Sequence, residues 1–172
     1  MRVLSLLTLT FVLAACATAP AGNSAPSGSS NTATATQTQS FVAALEAKRG
    51  SALTLAERLQ VQGLTGTAKV GLNNAQNNFL NKVGAQVGLN GAVIAALFPE
   101  AGKPLSENAV VSKIEGSLGK KLTAADQAAV KTATVLRNNS LASLKTGLAA
   151  SIGSRIGMST DIVLALMPML GL

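Results

Sequence analysis

The chain has no histidine, no tryptophan, no tyrosine and one cysteine; aromatic residues make up 2% of it and charged residues 12%. Each shortage excludes something. Without histidine the commonest general base is missing, and nucleophilic triads built on it are ruled out. Without histidine and with one thiol, the usual zinc and transition-metal ligands are absent. A single cysteine cannot staple an exported domain with internal disulfides. The near lack of aromatic platforms argues against single-stranded nucleic acid as a partner, despite a net charge of +7. β-branched runs and strict alternation are also scarce, so strands are not expected. No catalytic residue, metal site or cofactor is expected.

What is present begins at the N-terminus. Met1-Arg2 supplies one positive charge, and residues 3–15 (VLSLLTLTFVLAA) form an apolar run. A charged start, a short apolar core and small residues at its end define a secretory signal. The run falls short of the roughly 20 apolar residues that a membrane helix needs. It ends in Leu13-Ala14-Ala15-Cys16. This tetrad resembles the lipobox of bacterial lipoproteins, which runs Leu, small, small, Cys. The resemblance implies cleavage before Cys16, a diacylglycerol on its thiol and an acylated amine. It thus implies a membrane partner reached through lipid on Cys16. Ala17 in place of Asp implies sorting to the outer membrane, facing the periplasm. Two or more acyl chains hold a protein firmly, at about 0.8 kcal/mol per buried methylene.

Residues 17–40 (ATAPAGNSAPSGSSNTATATQTQS) carry no charge and almost no large apolar side chain. Such a stretch cannot bury enough area to offset its ordering entropy. Residues 16–40 are therefore expected to be a lipidated cysteine on a disordered tether, spanning roughly 27 Å as a coil and about 80 Å when straight. Its composition also suits O-glycosylation, a bare spacer being the simpler reading.

Residues 41–103 align without a gap on 110–172, at an offset of 69. Gly50 meets Gly119, Leu53-Thr54 meets Leu122-Thr123, Glu57 meets Asp126, Val83-Gly84 meets Ile152-Gly153, and Pro99 meets Pro168. A duplication is expected, each copy being three or four helices. The first helix runs from about Phe41 to Arg49 and from Asn108 to Leu118, with Ser40 and Ser106 as N-caps and Gly50 and Gly119 as stops. Thr54-Leu-Ala-Glu57 is a capping box, repeated by Thr123-Ala-Ala-Asp126. A long helical stretch follows in each copy; Gly71-Leu72-Asn73-Asn74 and Asn138-Asn139-Ser140 are its candidate breaks. Gly88 and Gly157 end it. Asn90 and Ser159 cap a last helix reaching Phe98 or Met167 before proline interferes. That helix is apolar nearly all round, which predicts burial.

Four features invite functional readings. Gly84-x-x-x-Gly88 and Gly153-x-x-x-Gly157 have the spacing of close helix approach, although a packing glycine plus a cap glycine is the simpler account. Residues 161–172 (DIVLALMPMLGL) are apolar enough for membrane insertion but too short to span; core burial is favoured. Glu46 and Glu115 occupy matching positions and would form a carboxylate pair if brought together. Asn138-Asn139-Ser140 matches a glycosylation sequon, a weak signal in a bacterium. The pattern of Gly, apolar residue, Asn or Ser and an apolar helix ending in Pro resembles small helical bacterial families such as the YidB-like proteins, over turn and core residues that imply no activity.

The expectation is an all-α protein: signal peptide 1–15, tether 16–40, and one compact helical domain 41–172 made of repeats 41–103 and 110–172. The expected function is a non-catalytic binding or structural lipoprotein of the cell envelope, with an envelope protein as its partner. The alternative is a carrier holding an apolar or lipid-like ligand between the repeats. A hydrolase ranks third.

Overall fold

The computed structural model describes residues 29–172, and the expected signal peptide, the expected lipidation site Cys16 and the first part of the expected tether lie outside them. Among the described residues the fold is all-α: α1 Ser29–Arg49, α2 Leu55–Val87, α3 Gly91–Leu97, α4 Glu107–Leu118, α5 Ala124–Ile156, α6 Thr160–Leu166, and a 3-10 turn over Met167–Leu170. None of these helices is long and apolar enough to cross a membrane.

Helices α2 and α5, of 33 residues each, run for about 50 Å at 1.5 Å per residue. They are antiparallel. Gly71 lies against Leu144, Gln76 bonds Arg137, and Gln86 bonds Asp126, so position rises along one helix as it falls along the other. Both start at their capping threonine. The Thr54 hydroxyl accepts from the Glu57 amide, and the Glu57 carboxylate accepts from the Thr54 amide at 2.7 Å. Thr123 accepts from the Asp126 amide at 3.1 Å, and its hydroxyl donates to the Asp126 carboxylate.

Both ends carry the paired glycines. Gly88 has φ 70° and Gly157 φ 69°, the left-handed region glycine occupies without steric cost. Gly84 is needed for another reason: a Cβ there would stand 2.7 Å from the Leu89 carbonyl oxygen, and one on Gly153 would stand 2.6 Å from that of Met158. In both motifs the first glycine therefore lets the chain fold back over the helix end, and the second supplies the turn.

The core is two clusters, and each draws on both halves of the chain. In one, Phe41, Leu45, Leu53 and Val61 pack with Leu148, Ile152, Val163 and Met167. In the other, Val110, Ile114, Leu122 and Val130 pack with Phe79, Val83, Ile94 and Phe98. These sets occupy matching places in the 69-residue alignment. The first helix of each half thus packs on the last helix of the other half, and the halves interleave rather than forming two self-contained units.

Several local expectations are corrected. Helix α1 begins at Ser29, so residues 29–40 of the expected tether are helical and Ser40 lies inside the helix rather than capping it. From Ala35 to Gln39 α1 lies beside α2, where the Lys69 ammonium donates to Gln37 at 3.3 Å and Thr38 is buried. Helices α2 and α5 are unbroken at Gly71–Asn74 and at Asn138–Ser140. Gly71 accommodates the Leu144 methyls, the nearer of which would stand 2.8 Å from a Cβ on it. Asn138 spends its amide on the Leu105 backbone, accepting from N–H at 3.0 Å and donating to C=O at 2.8 Å. Ser106 and Ser159 occupy N-cap positions without a side-chain bond, whereas Asn90 accepts from the Ala92 amide. The last helices stop at Leu97 and Leu166. They are also two-sided: Ile94 and Val163 are fully buried, while Val93 and Ile162 are 40% exposed.

Candidate functional site

Two grooves along the α2–α5 pair occupy matching positions, and a further hollow of about 330 Å³ shares Lys82, Ala133 and Leu136 with the second. The larger of the two grooves, about 330 Å³, has Leu64, Thr67 and Ala68 on one wall and Leu144, Gly147 and Leu148 on the other, with Ser143 and Ser151 at its margins. The smaller, about 230 Å³, includes Ala133, Leu136, Arg137, Asn78, Phe79 and Lys82. Under the 69-residue offset these walls match position for position: Leu64 with Ala133, Thr67 with Leu136, Ala68 with Arg137, Gly147 with Asn78, Leu148 with Phe79, and Ser151 with Lys82. One groove is apolar with a few hydroxyls. Its counterpart is smaller and lined by longer and charged side chains.

Arg137 explains much of the difference. It is 3% exposed and has no carboxylate partner. Its guanidinium donates instead to Gln76 Oε1 at 2.7 Å and to the carbonyls of Ala101, Lys103 and Glu100 at 2.8, 2.9 and 3.0 Å. It lies over the Phe79 ring at 5.6 Å. Gln76 in turn donates to the Phe98 carbonyl at 2.9 Å. Burial pushes the Arg137 pKa down, yet arginine keeps its proton. The cation therefore pins the α3–α4 connection to the long helices. At the matching place in the other half, Ala68 leaves room. Nothing in the local sequence separates a buried Arg137 from a solvated one, so sequence reasoning missed it; the one readable cue is its alignment with a core alanine.

Gly102 was missed too. A Cβ on it would collide with the Gly171 carbonyl oxygen. The two glycines are equivalent under the offset, and the α3–α4 connection and the C-terminal turn meet there backbone to backbone.

Glu46 and Glu115 do not come together as a pair; each serves its own turn. Glu46 accepts from the Leu53 amide at 2.9 Å and pairs with Arg58 at 2.7 Å. Glu115 accepts from Lys121 at 2.7 Å, the Leu122 amide at 3.1 Å and Gln127 at 3.2 Å. The Lys121 ammonium, followed by the Leu122 amide, holds the Glu115 carboxyl below the usual range. Asp126 is lowered by the Thr123 hydroxyl and then by Gln86, and Glu57 by the Thr54 amide and hydroxyl. Among the described residues no group of three or more acidic, cysteine or histidine side chains is placed to hold a metal ion.

The outer face of α2 carries a further apolar feature. Leu55, Leu59 and Val70 are 75%, 58% and 59% exposed, and helical periodicity sets them on one side. The matching residues of α5 are Ala124, Ala128 and Asn139. The C-terminal segment lies in the core through Val163, Met167, Leu170 and Leu172, leaving Ile162 and Met169 at the surface. Compared with protein-family models, curated proteins and solved structures, the chain gives no match.

Proposed function

We propose that this protein is a lipid-anchored lipoprotein of the bacterial cell envelope, acting as a non-catalytic binding module at the outer membrane. The observation that carries this reading is Leu13-Ala14-Ala15-Cys16, placed directly after a charged start and a short apolar core. Lipid on Cys16 is the membrane partner. The helical domain supplies the binding surface, and the outward Leu55, Leu59 and Val70 of α2 suit an envelope protein partner. Non-catalytic action is supported by the use of Glu46, Glu57, Glu115 and Asp126 in turns and caps. The matched helix bounds and core positions support a duplication as the origin of the two halves. Mass spectrometry of the N-terminal peptide from cells tests the anchor: the expected species begins at Cys16 and bears acyl chains, and an unmodified thiol there would contradict it.

A second reading, a carrier of an apolar or lipid-like ligand, is favoured by one observation: the apolar groove lies between helices of the two halves. Its volume is at the lower end of the about 300–1,000 Å³ range of ligand sites, so its cargo is small.

A further inference from the structure

The apolar groove has two unlike ends. At one end the Leu144 methyls close against Gly71. At the other stands Ser151, and one helical turn further along the same face of α5 comes Arg155. Arg155 is exposed and makes no ion pair among the described residues. Its spacing of seven and four residues from Leu148 and Ser151 sets Arg155 on their face of α5, and Gln86, at the matching position in the other half, lines a hollow there. No charged residue lines the apolar groove itself. From Leu144 to Ser151 the wall is about 10 Å long at 1.5 Å per residue, and Gly147 at its middle leaves open space where a side chain would stand. The site is thus a short apolar trough, closed at one end, with a cation beyond its open end.

We propose that this trough binds a medium-chain fatty carboxylate, with its alkyl tail against Leu64, Ala68, Leu144 and Leu148 and its carboxylate at Arg155. The proposal rests on the carrier reading and deepens it. An alkyl chain takes apolar area out of water in a place that offers it no unpaired charge. Arginine recognises carboxylate through its planar fork of donors. The matching groove is smaller, about 230 Å³, and is lined by the cations Lys82 and Arg137, which an alkyl tail would desolvate without pairing.

The test is calorimetric titration of the full chain carrying Cys16→Ala, which lacks lipid that would compete. Decanoate and decanol are the probes. The expected result is binding of both, decanoate the tighter. Arg155→Gln should weaken decanoate about tenfold, the size of one charge-assisted hydrogen bond, and leave decanol unchanged. Gly147→Leu should abolish both, because it fills the trough at a place where an added Cβ meets nothing within 4 Å; replacing a helical glycine also favours the helix, so loss of binding there is not loss of fold. If both probes bind, Gly147→Leu removes both and Arg155→Gln affects neither, the carboxylate assignment is overturned while the carrier reading survives. If neither probe binds the parent chain, or if Gly147→Leu binds as before, the trough is not a ligand site and both fall.

Discussion

The two grooves along α2 and α5 have walls drawn from matching positions and differ in what stands in them. Around Arg137, five hydrogen-bonding oxygens and the Phe79 ring surround the guanidinium, and the α3–α4 connection is fastened to the long helices. Around Ala68 the same frame is left open. The clusters beneath show a related contrast. One is built from residues 79–133, a continuous middle segment. The other joins residues 41–68 to 148–172, so it requires closure of a much longer loop. Equal positions under the 69-residue offset therefore do not imply equal roles: one side is braced by a buried cation, and the other has an apolar trough and is closed by pieces from the two ends of the described chain.

The largest effects should come from matched core truncations. Leu45 and Ile114 are equivalent, and both are fully buried. Leu45→Ala and Ile114→Ala should each cost about 2–5 kcal/mol, measured by denaturant unfolding, out of a total of about 5–15 kcal/mol for a domain of this size. A negligible cost at either position would break the correspondence of the two clusters. Arg137→Ala should come next, at about 3 kcal/mol, because Gln76 and several backbone carbonyls lose their donor. Thermal melting should fall by about 10 °C, whereas Ala68→Gly, a change at the matching place, should cost about 1–2 kcal/mol, from helix propensity and one buried methyl.

A smaller effect is expected from pH. Glu57, Glu115 and Asp126 are held below their ordinary values of 4.5, 4.5 and 3.8 in the folded state. A carboxyl depressed on folding stabilises the protein above its unfolded pKa and loses that contribution as pH falls through the folded value. Melting temperature should therefore hold between neutrality and about pH 5 and decline below about pH 4. Glu115→Gln should flatten part of that decline while lowering stability at neutral pH; an unchanged profile would show that the Lys121 and Leu122 contacts do not persist in solution.

The features readable from sequence were those fixed within one turn of the chain. Thr54 with Glu57, Thr123 with Asp126, and the glycine pairs at 84/88 and 153/157 depend on neighbours a few residues away, and the all-α class followed from spacing and from the scarcity of strand signals. What was not readable depends on distant partners. Gly71 and Asn138 look like helix breakers until Leu144 and Leu105 are placed beside them. Residues 29–40 have poor helix propensity, and α2 lies alongside their second half, at Ala35, Gln37 and Gln39. The interleaving of halves leaves no local trace, because a repeat packing on itself and a repeat packing on its twin use the same apolar positions. The groove was expected only in outline, as space between repeats; its walls required the antiparallel register of α2 and α5.

Methyl-resolved NMR of the chain titrated with decanol tests the difference between the apolar groove and its cation-lined counterpart most directly. The expected result is shifts at Leu64, Leu144 and Leu148, with Leu136 and Val83, beside the Lys82-lined hollow of the other half, unmoved. Equal shifts on both sides, or shifts at Leu136 and Val83 alone, would contradict it.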